Sequence, residues 1–227
     1  MKLVIFDCDG TLVDSQNAIC AAMIHAFAGL GLTPPSRLQV LGVVGLSLPE
    51  AFQVLAPGES PVVRAELAER YKTAFPRLEP SPIPRDPLFD GAKGAIEALA
   101  GRADVVLGIA TGKSRRGVIR LLDQENWHDL FQTIQTADDH PSKPHPSMID
   151  RAMRETDIRP ERTVIVGDTT YDITMGLNAR VSTIGVGWGY HDVADLERAG
   201  AHTIVTAFDA VEAAIDRLLA DGEGVLR

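Results

Sequence analysis

Leu3-Val4-Ile5-Phe6-Asp7-Cys8-Asp9-Gly10-Thr11-Leu12 opens the chain. Residues 3–6 have the length and the branched or aromatic content of a buried strand, and Asp-Gly-Thr is turn chemistry. The two carboxylates therefore fall where a strand ends. In open α/β sheets that edge is where ligands bind. On its own the tripeptide is equally a polar bend, with Asp9 and Gly10 making the turn, so its meaning depends on what the later loops bring to the same edge.

Working outward, 15–30 carries apolar residues at helical spacing (Ile19, Met23, Phe27, Leu30), with Asp14 or Ser15 as N-cap and Gly29 and Gly31 at the end. Helical patterns over 48–55 and 62–75 follow, separated by Pro57-Gly58-Glu59-Ser60-Pro61. The prolines of 79–87 exclude a helix and favour an extended connector. After Gly91 helices and strands alternate: helices over 92–99, 114–122, 147–154, 171–177, 193–198 and 210–219, and strands over 105–110, 133–135, 163–166, 182–186 and 202–205. Such alternation implies a parallel sheet covered on both faces. The expected architecture is α/β: a doubly wound, Rossmann-like core from 1–14 and 86–227, with an all-helical cap inserted over 15–85 that can rock as a lid. Residues 221–227, with two glycines, read as a flexible tail.

The net charge of −9 without a basic stripe argues against nucleic-acid binding. Cys8 and Cys20 suggest a reducing compartment rather than a disulfide framework. With no apolar run near the roughly 20 residues of a membrane helix and no signal region, the expectation is a cytoplasmic protein with no membrane partner. Its oligomeric state, monomer or homodimer, is not readable from sequence.

Four strand ends carry candidate chemistry. The first holds Asp7 and Asp9; the second runs into Thr111-Gly112-Lys113-Ser114, where a hydroxyl and amides at a helix start suit an anion. The third is Ser142-Lys143-Pro144-His145-Pro146, and the fourth is Gly167-Asp168-Thr169-Thr170-Tyr171-Asp172. Each also has a plain reading: a helix N-cap for the second, a solvated lysine for the third, an N-cap and a first-turn acid for the fourth. Together they share one sheet edge. Gathering Asp7, Asp9, Asp168 and Asp172 there costs on the order of 4 kcal/mol per close pair at an effective dielectric of 20. A divalent cation with all-oxygen ligands offsets that, and the donor set suits Mg²⁺, with Lys143 adding positive charge.

Asp7-x-Asp9-Gly10-Thr11, Thr111, Lys143-Pro144 and Gly167-Asp168-x-x-x-Asp172, in this order and with an insertion after the first motif, resemble the haloacid dehalogenase superfamily, most closely its phosphoglycolate phosphatase-like branch with a helical cap. The resemblance implies a Mg²⁺-dependent phosphatase acting on a small phosphorylated metabolite through an aspartyl phosphate. Asp7 is then the nucleophile, and Asp9 the general acid and base. Thr111 holds the phosphoryl group together with Gly112, Gly10 and, from the cap, Ser47, while Lys143 positions the nucleophile. Asp7, Asp168 and the backbone carbonyl of Asp9 bind the metal, and Asp172 supports them through water. Two departures stand out. Gly112 replaces an asparagine found in many relatives, and Ala179-Arg180 stands where relatives usually have Ala-Gly, which puts the local turn in question.

A nucleotide-binding P-loop is one residue out of register, since its first glycine would fall on Leu107. A dehalogenase would not need Asp9, and a phosphonatase would replace it. A phosphosugar mutase keeps every motif and is the alternative within enzymes. A non-catalytic phosphate-sensing module is the alternative outside them, though it would be expected to lack Asp7 or Lys143. Substrate choice is expected from the cap, where Gly45-Leu46-Ser47 faces the core and Arg64, Arg70, Lys72 and Arg77 are candidate contacts that read equally as solvated helix charges.

Overall fold

The computed structural model describes residues 1–74 and 86–220. Arg77, most of the proline-rich connector and the 221–227 tail lie outside the described residues.

Strand β1 (Lys2–Phe6) is flanked on one side by β2 (Val105–Thr111) and β3 (Phe131–Thr136) and on the other by β4 (Thr163–Gly167), β5 (Ser182–Val186) and β6 (Thr203–Val205). The order β3-β2-β1-β4-β5-β6 is parallel throughout. The chain order reverses between β1 and β4, which makes their carboxyl ends the switch point where a crevice opens. β3 is longer than its weak sequence signal implied, because Thr133 and Gln135 are polar yet buried and bonded to the exposed Glu155.

Both faces of β1 are apolar, as a strand buried on two sides requires. Val4 and Phe6 pack with α5 (Ala92–Ala100), α6 (Arg115–Glu125) and α10 (Val211–Ala220). Leu3 and Ile5 face the other way, onto α7 (Ser147–Thr156) and α8 (Thr170–Asn178). The period-2 alternation of one strand thus divides the core into two layers. The short helix α9 (Val193–Arg198) covers β5 and β6.

Between β1 and α5 the chain forms α1 (Gln16–Ala28), α2 (Arg37–Leu41), α3 (Leu48–Leu55) and α4 (Pro61–Ala74), around a separate apolar cluster that includes Met23, Phe27, Phe52 and Leu67. Helix α2 has no counterpart in the sequence reading; five residues give too little periodicity to detect, and it is started by a Ser36–Gln39 capping box. The two ends of this helical segment run side by side, with Val13 bridged to Leu88 and the Asp14 N–H donating to Pro87 O at 2.8 Å. Among the described residues no helix is long and apolar enough to cross a membrane.

At the end of α8 the expected glycine position is occupied by Arg180, at φ 60°. Its N–H donates to Leu177 O, and Val181 N–H to Gly176 O, so the left-handed cap forms despite the side chain. A non-glycine residue there carries strain. Arg180→Gly is expected to stabilise the fold by on the order of 1 kcal/mol, net of the entropy glycine adds to the unfolded chain, read as a higher urea midpoint at unchanged m-value.

Candidate active site

The end of β1 sets the first group. Asp7 N–H donates to Val166 O at 3.0 Å, continuing the ladder to β4 for one more residue and fixing Asp7 at the sheet edge. Cys8 O then accepts from Thr11, Leu12 and Val13, folding the loop tightly. Gly10, at φ +86°, completes the bend, and a Cβ there would lie 2.2 Å from Asp168 Oδ2. Glycine is therefore required both by conformation and by the close approach of the carboxylate. The Gly10 N–H is committed to Val13 O.

Asp7, Asp168 and Asp172 are buried and offer oxygens that all lie within 4.8 Å of one another. Lys143 sits among them, 3.0 Å from Asp7 Oδ1 and 2.6 Å from Asp172 Oδ1, with its side chain fully inaccessible. The solvated reading of this lysine is thereby replaced: its ammonium neutralises one of three buried acids. Burial would lower its pKa, but Asp172 and Asp7 raise it above the ordinary lysine range. Burial pushes Asp7 up to about 6, against the lowering effect of Lys143, and Asp172 and Asp9 push the same way. Asp168 is raised by the same burial and by Asp172 and Asp7, although Tyr190 N–H and the Thr11 hydroxyl both donate to it.

Asp172 does two jobs. At N3 of α8 its Oδ2 accepts from Thr169 N–H and the Thr169 hydroxyl, and the Thr169 Oγ1 accepts from Asp172 N–H, a capping box. Its other oxygen is left for Lys143.

Asp9 stands apart from this trio, which narrows the four-acid cluster expected from sequence to three. Its Oδ1 accepts from the Ser15 hydroxyl and from Lys113 Nζ, both at 2.6 Å, and Oδ2 has no protein hydrogen bond among the described residues. Ser15, at the N-cap of α1, makes no side-chain cap bond because its hydroxyl is used here. Lys113 also pairs with Asp86 at 3.2 Å. The sequence reading places Lys113 in the loop after β2 and Ser15 as an N-cap candidate but gives neither a role at Asp9, and Asp86 carries no motif that marks it. The loop after β5 was missed as well: Trp188 Nε1–H donates to Thr11 O, and Tyr190 bonds both Asp168 and Ser15. Its signal was present in the glycine-spaced aromatics Gly187-Trp188-Gly189-Tyr190.

Thr111 is fully buried at the end of β2, its Oγ1 accepting from Lys113 N–H. A Cβ on Gly112 would lie 2.8 Å from Gly45 O, so the helical segment's Gly45-Leu46 loop occupies the space a side chain at this position would need. Ser47 lies beside it, but its N–H donates to Ser142 Oγ and its hydroxyl to Glu50. Arg64, Arg70 and Lys72 bond to Glu59 O, Glu66 and Glu69 of their own segment, as solvated helix charges do.

Both oxygens of Asp7 are buried without a well-oriented hydrogen bond, and three carboxylates share one ammonium. This donor set fits a hard divalent cation. A metal-free protein is expected to lose stability as pH rises from about 4 to about 6, because over that range the fold still holds a proton on Asp7, and likewise on Asp168, that the unfolded chain has already released. Melting curves in chelator are expected to show a smaller drop for Asp168→Asn than for the wild type, and Mg²⁺ to raise the wild-type midpoint most at the higher pH.

The chain matches the family model described as haloacid dehalogenase-like hydrolase over residues 4–186. It is 36% identical over 221 residues to a probable phosphatase, IndB, of Dickeya dadantii, covering 96% of this chain and 94% of that protein. It is 28% identical over 227 residues to a phosphoglycolate phosphatase of Psychrobacter arcticus, covering 96% of each. Among solved structures, a haloacid dehalogenase-like hydrolase of Streptococcus pneumoniae superposes with a TM-score of 0.81 at 25% identity, covering 94% of this chain and 98% of that one.

Proposed function

The chain belongs to the haloacid dehalogenase-like hydrolase family, and from that membership and the acidic centre we propose that it is a Mg²⁺-dependent phosphatase that hydrolyses a small phosphomonoester, phosphoglycolate-like or a sugar phosphate, through an aspartyl phosphate. The observation that carries this reading is the division of labour between two carboxylates two residues apart. Asp7 is buried with Oδ1 paired to Lys143 and neither oxygen in a well-oriented hydrogen bond, whereas Asp9 is held through one oxygen and keeps the other available.

Asp7 attacks phosphorus, forming the aspartyl phosphate as the bond to the leaving oxygen breaks, and Asp9 delivers a proton to that oxygen. Asp9 then takes a proton from the water that attacks the aspartyl phosphate, releasing phosphate and restoring Asp7. The ion pair with Lys143 keeps Asp7 ionised and aimed, and Ser15 with Lys113 fixes the rotamer of Asp9. Thr111 and the Gly112 backbone receive the phosphoryl group, while Gly10 and Ser47, whose polar groups are engaged, contribute shape. Mg²⁺ bound by Asp7, Asp168 and the Asp9 carbonyl, with Asp172 in support through water, would neutralise charge on the phosphoryl oxygens. The helices of 15–85 act as a cap that excludes water from the cavity. Buried free Cys8 and Cys20 agree with a cytoplasmic setting.

The test is phosphate release from a panel of small phosphomonoesters with Mg²⁺ and with chelator. Asp7→Asn is expected to lower kcat by about 10³-fold or more, and Asp9→Asn by about 10²- to 10⁴-fold. Turnover that survives Asp7→Asn or chelation contradicts the mechanism, and an isomerised sugar phosphate in place of free phosphate would identify a mutase.

A further inference from the structure

One residue outside the four motif loops touches both halves of the acidic centre. Tyr190, in the loop after β5, donates its N–H to Asp168 Oδ2 at 2.9 Å. Its hydroxyl meets Ser15, accepting from the Ser15 N–H at 3.0 Å and lying 3.2 Å from Ser15 Oγ. Ser15 has a single hydroxyl hydrogen, and that hydrogen goes to Asp9 Oδ1 at 2.6 Å. In the contact between the two hydroxyls the phenol is therefore the donor. Burial, with the nearby charge of Asp9, holds the phenol above the ordinary tyrosine range, so it keeps the proton this requires. The result is a directed chain from Tyr190 O–H to Ser15 O–H to Asp9 Oδ1.

Each link is anchored. The Tyr190 ring packs against the apolar cluster of the helical segment. Gly189 runs so close to the metal-site acid that a Cβ there would lie 2.0 Å from Asp168 Cβ, and Trp188 Nε1–H holds Thr11 O. Ser15 is buried and sits at φ −94°, ψ 3°, away from the extended backbone from which an N-cap side chain reaches its own helix. Its hydroxyl serves Asp9 instead. Asp9 Oδ1 thus receives two donors, Ser15 and Lys113, so a proton carried by Asp9 belongs on Oδ2. Asp9 lines a cavity of about 890 Å³ whose roof includes Met23, Val40 and Val44.

Resting on the phosphatase reading, we propose that Tyr190 is a positioning residue for proton transfer: through Ser15 it locks Asp9 so that Oδ2 faces the leaving oxygen. The proton that moves is the one on Asp9 Oδ2, which passes to the leaving oxygen as its bond to phosphorus breaks. The phenol proton stays on Tyr190 throughout. Removing the phenol oxygen leaves the Ser15 N–H without its partner and frees the Ser15 hydroxyl to rotate, and Asp9 then spends time in orientations from which Oδ2 misses the leaving oxygen.

The test compares 4-nitrophenyl phosphate, whose phenolate leaves without a proton, with benzyl phosphate, whose alkoxide needs one; the apolar roof suits either ring. The readout is the ratio of kcat/KM for the two esters. Both are assayed on one preparation, so the ratio does not depend on how much of a variant is folded. Tyr190→Phe is expected to raise the ratio of 4-nitrophenyl to benzyl ester about 10-fold, through kcat for the benzyl ester with KM held within about two-fold. Asp9→Asn is expected to raise it by about 10²-fold or more. Ser15→Ala is expected to raise it at least as much as Tyr190→Phe, and the double variant no further than Ser15→Ala alone, because Tyr190 acts through Ser15. A ratio within about two-fold of wild type in Tyr190→Phe, or effects that multiply in the double variant, overturns the role of Tyr190. A wild type that hydrolyses only the 4-nitrophenyl ester overturns it too, since no proton then reaches the leaving oxygen. A wild type that hydrolyses neither ester removes the phosphatase reading, whereas hydrolysis of both with an unmoved ratio removes the role of Tyr190 alone.

Discussion

Three carboxylates buried within 4.8 Å of one another, with one ammonium between them, set the terms for this molecule. Like charges at such distances repel by on the order of 4 kcal/mol per pair even at an effective dielectric of 20. A fold retains that arrangement only if the backbone enforces it and a cation is available to it. The enforcement comes from the sheet. Asp7 and Asp168 each follow the end of one of the two adjacent strands at the switch point, and the Asp7 N–H to Val166 O bond ties those ends together. Glycines at 10 and 167 leave room for the acids, since a Cβ at either would fall within 2.4 Å of a carboxylate side chain.

Several residues serve folding and chemistry together. Asp172 caps α8 with one oxygen and holds Lys143 with the other, so the helix start and the lysine position are one device. Ser15 shows the opposite balance, because it stands at the N-cap of α1 yet spends its hydroxyl on Asp9. An N-cap bond contributes about 1 kcal/mol, and local rules are broken in this way where a site needs the group for itself.

The helical segment is fitted to the core at specific points rather than lying loosely over it. Gly45 packs where a side chain on Gly112 would stand, Ser47 N–H reaches Ser142, and the Tyr171 hydroxyl donates to Gly42 O. The departure at Gly112 thus has a structural counterpart, a closer approach of the opposing loop. Lys113, next in the chain, extends to Asp9 and to Asp86, where the segment rejoins the core.

The sequence by itself determined the layout. The apolar run 3–6 and the helix–strand alternation after Gly91 specify a parallel sheet, because burial on both faces demands continuous apolar strands. Four loops with acids, a hydroxyl and a lysine mark the edge on which chemistry collects. These signals are local, so periodicity and turn residues report them. Short or polar elements such as α2 and β3 were faint, since tertiary contacts rather than pattern hold them. Only the tertiary structure decided that Lys143 is buried among acids and not solvated, that Asp9 turns away from the other three toward Ser15 and Lys113, and that the Gly187–Tyr190 loop clamps Asp168. Each depends on side chains from elements far apart in the chain, whose meeting is fixed by strand order and packing and leaves no trace in spacing along the sequence.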